Sequence, residues 1–433
     1  MTLPLDPALA SALASLGCND GPLTLGGIAA SALAETFGTP LYVFAADVLR
    51  ARVAAVRQAL GPRVELLWSV KANPSVAVTR CLRLCGAGAE IASLGELHVA
   101  LAAGHAARTL RFAGPGKTDA ELDAALAAGL GCFHVESRDE AEALAVLARR
   151  RGVVARVALR VNFRHELAGS RLRMGGGSSR FGIDEADLAA VARFVRGTPA
   201  LHLAGLHAYA GTQCFDAMAF QRHCERVAAQ VITLERELGI VLHEIDVGGG
   251  FGVPVYLGDP EFDLTAAGQA LQQVIAAIDR PERSWFVELG RFLAAPAGAY
   301  LARVVRHKPS GEQSHAVLDG GMHHAAAAAG VGSVLRRPPL LVAAAEPRRL
   351  GSPVTIGGPL CTPTDQFAED LAIGPLANGD VVAVLHAGAY GLSYSPHSFL
   401  GHATPAEVLV DAGTPRVVRD RGQSTDTLRG QHP

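Results

Sequence analysis

Between residues 64 and 291, short apolar runs alternate with stretches of helical period. The runs are 64–71 (VELLWSVK), 88–93 (GAEIAS), 109–114 (TLRFAG), 132–137 (CFHVES), 157–162 (VALRVN), 203–211 (LAGLHAYAG), 244–250 (EIDVGGG) and 285–291 (WFVELGR). Between them, stretches such as 120–130, 137–150 and 228–239 space Ala, Leu and Val at helical intervals against Arg and Glu. Runs that are apolar throughout, rather than alternating, predict parallel strands covered by helices. Eight such units predict an α/β fold closed as a (β/α)8 TIM-type barrel. From about residue 292 the texture changes to short β-like runs split by Gly, Pro and Asp, which predict a β-barrel or sandwich. The expected organisation is a barrel over 41–291 and a β-rich domain made of 1–40 together with 292–433. The Arg-rich tail 416–433 carries no predicted element.

Composition narrows the function classes. The 433 residues allow two or three domains with large cores, and 49% apolar against 18% charged residues describes a globular chain. Lys plus Arg (39) nearly cancel Asp plus Glu (41), and no basic stripe appears, so no nucleic-acid partner is expected. No apolar run reaches the roughly 18 residues of a membrane span, and the first residues lack the positive flank of a signal peptide. Seven cysteines without a CxxC pair fit neither a disulfide framework nor a zinc site. The expectation is a cytoplasmic protein with reduced, mostly packed thiols.

In such a barrel, functional groups gather at the C-terminal ends of the strands. The first run ends in Lys71, one of only three lysines in a chain whose positive charge is otherwise arginine. A lysine can lose its proton and form a Schiff base, which a guanidinium cannot. Equally, its stem can simply cover apolar surface with the head in water. The seventh run ends in Gly248-Gly249-Gly250-Phe251-Gly252, where backbone N–H groups can close on an anion. The eighth supplies Glu288 and Arg291, a carboxylate and a guanidinium three residues apart, or alternatively a salt bridge closing the barrel. Together with His207 and Tyr209, these groups suit a phosphorylated aromatic cofactor held through an amine, the division of labour of pyridoxal phosphate. Without a cofactor, the same lysine would serve a Schiff-base aldolase. Adjacent His323 and His324 on a strand would face opposite sides, so no metal site is expected there.

From about residue 40 to 411 the chain resembles the fold-type III pyridoxal-phosphate decarboxylases, the diaminopimelate/ornithine/arginine decarboxylase group. Ser69-Val70-Lys71-Ala72-Asn73 resembles Y-A-V-K-A-N, whose lysine carries the cofactor, and Glu90 through Glu96 resembles D-x-x-S-x-G-E. Arg180-Phe181-Gly182-Ile183 resembles K-F-G-I, and Gly205 through Gln213 resembles G-L-H-x-H-x-G-S-Q. In that motif the second histidine stacks on the pyridine ring and the serine touches phosphate. Gly388-Ala389-Tyr390 resembles G-A-Y, and Cys361 in GPLCTPTD resembles G-x-x-C-[DE]-S-x-D.

The resemblance implies an alanine-racemase-like barrel and bound pyridoxal 5'-phosphate. It implies cofactor contacts from Lys71, Glu90, Arg160, Tyr209, Thr212, Gly249, Gly250, Glu288, Arg291 and Tyr390, with Glu288 at the pyridine nitrogen. Lys71, Glu288 and Cys361 become the catalytic set, and Arg291, Thr362 and Arg180 the substrate contacts, with no metal. It also implies a homodimer with shared active sites, in which Cys361 reaches across to reprotonate the α-carbon. The departures are Tyr209 for the stacking histidine, Leu289 for proline, and Thr362 for the acid that meets a distal ammonium. The long loop 166–183 and GPGKTDAEL (114–122) resemble a subgroup found with secondary-metabolite, siderophore and exopolysaccharide gene sets, some of whose substrates are carrier-linked. The expected activity is loss of the α-carboxylate of an amino acid or its conjugate. Rivals are an amino-acid racemase, with Tyr209 or Tyr390 as the base opposite lysine, and a non-catalytic pyridoxal-phosphate carrier, which the extra β-domain disfavours.

Overall fold

The computed structural model describes residues 5–18, 21–163, 170–173, 178–332, 336–348 and 350–433, with backbone alone at 170–173. Most of the Gly-rich loop singled out at 166–183 lies outside the described residues. The chain divides into two compact units: Arg52–Gly252 with Phe262–Phe292, and Met1–Ala51 with Val253–Glu261 and Leu293–Pro433.

In the first unit, eight strands run parallel: β1 (Val64–Ser69), β2 (Gly88–Ile91), β3 (Leu110–Phe112), β4 (Cys132–Val135), β5 (Ala155–Asn162), β6 (Leu201–Ala208), β7 (Glu244–Gly249) and β8 (Ser284–Leu289). Each pairs with the next, and β8 pairs back onto β1 from Trp285 opposite Val64 to Leu289 opposite Trp68, which closes the barrel. All eight predicted runs become barrel strands. The strands are buried along nearly their whole length because helices cover them, and Trp68, Phe112, Phe133, Trp285 and Phe286 are among the fully buried side chains. Each such side chain contributes about 1.5–3 kcal/mol by leaving water.

Local chemistry starts the helices at the right places. Ser93, Thr118 and Ser137 each accept a hydrogen bond from the backbone N–H three residues on, at Glu96, Glu121 and Glu140. The glutamates reach back in turn: Glu121 accepts from the Thr118 N–H, Glu96 from Ala92, and Glu140 from Glu136. Three successive strand-to-helix turns are thus fixed by the same serine- or threonine-to-glutamate spacing.

The second unit is built around the strand Gly298–Ser310. It pairs antiparallel with Gln313–Leu318, Val381–Val384 and Leu41–Ala45. Leu41–Ala45 runs parallel to Ala406–Asp411, which pairs antiparallel with Thr414–Arg419. Pro353–Gly357 lies between Gln313–Leu318 and Gln366–Ala372.

Three expectations need revision. The strand Leu41–Ala45 belongs to this sheet and not to the barrel, because its fully buried side chains pack between two β neighbours. Residues Val253–Glu261 join it as well. The His386 Nδ1–H donates to Pro254 O (2.6 Å), Arg337 pairs with Asp259 (2.6 Å), and the Tyr256 hydroxyl donates to Ala327 O (2.8 Å). The tail, read as carrying no element, contributes Thr414–Arg419 as a strand and Ser424–Leu428 as a 3-10 turn.

Candidate functional site

Lys71 sits in a 3-10 turn, Val70–Ala72, two residues beyond the end of β1. Its Nζ donates to both carboxylate oxygens of Glu90, each at 3.2 Å. The register explains the meeting: Glu90 on β2 stands opposite Ser69. Glu90 is fully buried, and burial raises its carboxyl; the Lys71 ammonium opposes that shift and Glu288 adds to it. The Tyr209 ring, just past β6, lies 5.6 Å from Nζ, in cation–π range, at the position where the motif has histidine.

Inside the barrel, Glu288 is buried on β8 with His134 from β4, His207 from β6 and Asp246 from β7. Glu288 Oε2 lies 3.5 Å from His207 Nε2, and Oε1 lies 3.7 Å from His134 Nδ1. The two imidazoles stack at 4.2 Å with planes 20° apart. Burial pushes both well below the ordinary histidine range, so they are neutral. Glu288 was expected from its motif and His207 as a ring beside the cofactor; His134 and Asp246 had no role in the sequence reading.

Arg160, on β5, is likewise buried, and its Nη1 donates to Glu136 at 2.7 Å. The same carboxylate accepts from the backbone N–H of Gly114 (2.7 Å) and Gly182 (3.0 Å). Glu136 therefore ties three strand-end loops to Arg160. Lys117 supports it from below: its buried ammonium donates to Gly114 O (2.6 Å) and His134 O (3.0 Å) and pairs with Glu140 at 2.8 Å. Neither residue had a role in the sequence reading. The signal was there in Glu136 preceding a helix-capping serine, but capping explains that glutamate equally well.

The glycine loop follows β7. Gly250 has φ +84°, and a Cβ there would lie 2.0 Å from the Gly211 carbonyl; a Cβ on Gly249 would lie 2.0 Å from the Glu288 carbonyl. Only glycine fits this double approach, and the backbone is left bare where an anion can reach it. Thr212 and Gln213 lie on the strand Gly211–Cys214, which is linked to the loop by Cys214 N–H to Gly250 O (3.0 Å). Gln213 holds a left-handed φ of 56°, the kind of backbone strain that gathers at functional sites. Arg291 opens a single helical turn directly after β8. Arg180 is exposed and stacks at 5.0 Å on Phe181, whose other neighbour is Arg160 at 5.1 Å.

Three predicted residues belong to the other unit. Cys361 is exposed, and Thr362 Oγ1 lies 2.9 Å from Thr364 Oγ1. The loop carrying them is pinned by Asp365, whose carboxylate accepts from Leu360 N–H (2.8 Å) and Met322 N–H (2.6 Å). Tyr390 has φ 53° and sets its ring edge-on to Tyr394 at 6.2 Å. His323 and His324 do not face opposite sides as on a strand; they lie in a turn with their rings 3.7 Å apart.

Residues 46–295 match the family model described as pyridoxal-dependent decarboxylase, pyridoxal binding domain. The chain belongs to this family. It is 35% identical over 408 residues to the L-glutamyl-[BtrI acyl-carrier protein] decarboxylase of Niallia circulans, covering 93% of this chain and 95% of that one. It is 34% identical over 402 residues to the diaminopimelate decarboxylase of Neisseria meningitidis serogroup A, covering 90% and 94%. Among solved structures, diaminopimelate decarboxylase from M. jannaschii in complex with L-lysine superposes with a TM-score of 0.86 at 26% identity, covering 96% and 97%. The chain is thus a pyridoxal-phosphate-dependent decarboxylase acting on an amino acid or its conjugate.

The barrel residues fit that cofactor. An amine, a buried carboxylate with an orphaned Oε1 on Glu288, and a glycine cradle that a Cβ would fill are the three features the vitamer requires. Among the described residues, no helix of this decarboxylase is long and apolar enough to cross a membrane.

Proposed function

We propose that this decarboxylase removes the α-carboxylate of an aminoacyl group carried on a larger conjugate, such as a carrier protein, and that it does so as a cytoplasmic homodimer with shared active sites. The observation that carries the substrate choice is Thr362. Its neutral hydroxyl, engaged with Thr364 at 2.9 Å, offers no countercharge for a distal ammonium, so lysine, ornithine and free diaminopimelate are disfavoured. The carrier-linked substrate in the name of the Niallia circulans relative supports the same reading.

The division of labour follows from the residues. When bound, pyridoxal phosphate supplies the electron sink for the pair left on the α-carbon as CO2 departs. Lys71 Nζ holds the cofactor, and the Glu90 carboxylate 3.2 Å away keeps that amine in place. Glu288 holds a proton at the ring nitrogen, Tyr209 offers its ring face, and Gly249, Gly250 and Thr212 receive the phosphate. Arg160, fixed by Glu136, Arg180 and Arg291 supply positive charge for cofactor and substrate anions. Cys361 Sγ delivers the proton to the α-carbon from the partner subunit.

The test is CO2 release from a panel of free diaminopimelate, ornithine, lysine and glutamate and of aminoacyl groups loaded on an acyl-carrier protein. Turnover of a carrier-linked member in preference to its free form supports the proposal. Preference for free diaminopimelate overturns it.

A further inference from the structure

Glu288 is one of four buried polar side chains that converge in the barrel interior, and the function proposed above uses only that one. One side-chain nitrogen or oxygen each from His134, His207, Asp246 and Glu288 lies within 4.8 Å of the others. Glu288 Oε1 and Asp246 Oδ2 are both buried and lack a hydrogen-bond partner, although Asp246 Oδ1 accepts from the Gly248 N–H at 2.8 Å. Asp246 Oδ2 is also 4.0 Å from His134 Nε2. Two carboxylates this close, away from water, cannot both ionise, and neutral imidazoles supply no countercharge. Burial and the neighbouring Glu288 together raise the Asp246 carboxyl well above the ordinary range, outweighing the Gly248 N–H and the Arg111 guanidinium, which act the other way. A single proton removes the conflict, because it turns two orphaned acceptors into a donor and an acceptor.

We propose that Asp246 is a carboxylic acid that donates its Oδ2 proton to Glu288. The pair then bears one negative charge, located on the carboxylate assigned to the cofactor's ring nitrogen. The stacked imidazoles of His134 and His207 are buried beside the pair, and Lys117 fixes the strand that carries His134 through the His134 carbonyl (3.0 Å). Asp246 is thus a positioning residue: it orients Glu288 and makes Glu288, not Asp246, the anion. The inference rests on the pyridoxal-phosphate reading of Glu288.

Asp246→Asn distinguishes this from an ionised Asp246, because an amide is also a neutral donor. In cofactor-free protein at neutral pH, infrared difference spectra with isotope-labelled aspartate are expected to show the C=O stretch of a protonated carboxyl. The band shifts in heavy water and is missing in Asp246→Asn. Added pyridoxal phosphate, followed by equilibrium binding, is expected to bind Asp246→Asn within about threefold of wild type, and Asp246→Ala or Glu288→Gln at least about tenfold more weakly. A missing band, or Asp246→Asn binding as poorly as Glu288→Gln, overturns the inference. So does stoichiometric uptake of zinc by cofactor-free protein that His134→Asn abolishes, since the four side chains would then be a metal site. If wild type fails to bind pyridoxal phosphate, the functional reading falls, while the infrared band still decides where the proton is.

Discussion

Replacing Glu136 by Gln removes one charge from a pair that is almost wholly out of water. The Arg160–Glu136 contact is 2.7 Å, with side chains 6% and 3% exposed. The Arg138–Glu142 contact is also 2.7 Å, but its side chains are 54% and 50% exposed. Equal distance with opposite burial makes the two pairs a controlled comparison. Removing one partner of a buried pair strands the other charge and costs about 3–5 kcal/mol, whereas an exposed helix pair contributes about 0.3–0.5 kcal/mol. Glutamine keeps one acceptor for the Gly114 or Gly182 N–H, so the lower end, about 3 kcal/mol, is expected for Glu136→Gln.

The pH dependence has a definite sign. Burial alone would raise the Glu136 carboxyl, but Arg160, Lys117 and the donated hydrogen bonds outweigh it, and the group lies below the ordinary carboxylate range. Its contribution is therefore full above the unfolded-state value and is lost as pH falls through the lower folded-state value. Urea unfolding of wild type, Glu136→Gln and Glu142→Gln across acid pH reads both effects. The gap between wild type and Glu136→Gln should be large at neutral pH and close in acid. A loss at neutral pH no larger than that of Glu142→Gln would refute the reasoning.

The remaining expectations concern sites in both units. Cys361→Ala should keep the cofactor but lose turnover or release an abnormal product, as judged by absorbance and product analysis. Mixing it with Lys71→Ala should restore about a quarter of native sites if each dimer shares its active sites, and no restoration would remove the shared-site arrangement. Glu96, buried and close to the Glu90 charge, has its carboxyl raised to about 7. The folded state then holds a proton that the unfolded state releases, so stability falls as pH rises from about 4.5 to about 7, by roughly 1–3 kcal/mol. Glu96→Gln should flatten that part of a thermal-melt profile; an unchanged slope would contradict it. Thr362→Glu restores a countercharge and should raise CO2 release from substrates with a distal ammonium relative to the carrier-linked one, in the panel above.

The barrel strands were readable because burial on both faces leaves continuous apolar runs, a pattern few other environments produce. Lys71, Glu288 and the glycine loop stood out because a barrel's chemistry gathers where those runs end. Leu41–Ala45 was misplaced for the same reason that the others were placed correctly. Its apolar run is followed by a helical stretch, Ala46–Leu60, and nothing local distinguishes that from another strand–helix unit. Val253–Glu261 joins the sheet domain through side chains distant in sequence, such as His386 and Arg337, so no local pattern announces it. The companions of Glu288 come from β4, β6 and β7, three separate stretches of sequence; only closure of the barrel brings them together. Glu136 was hidden differently, because its position beside a capping serine already had a sufficient local explanation.

The central claim is that the Lys71 amine holds pyridoxal phosphate. The chain contains only lysines 71, 117 and 308, which makes the assay unambiguous. Protein loaded with the cofactor, reduced with borohydride and digested should carry the label on Lys71 at one per chain. Lys117, buried and bonded to Glu140 and two carbonyls, should stay unmodified. Label on Lys117 or Lys308 in place of Lys71, or no label at all, would contradict the account.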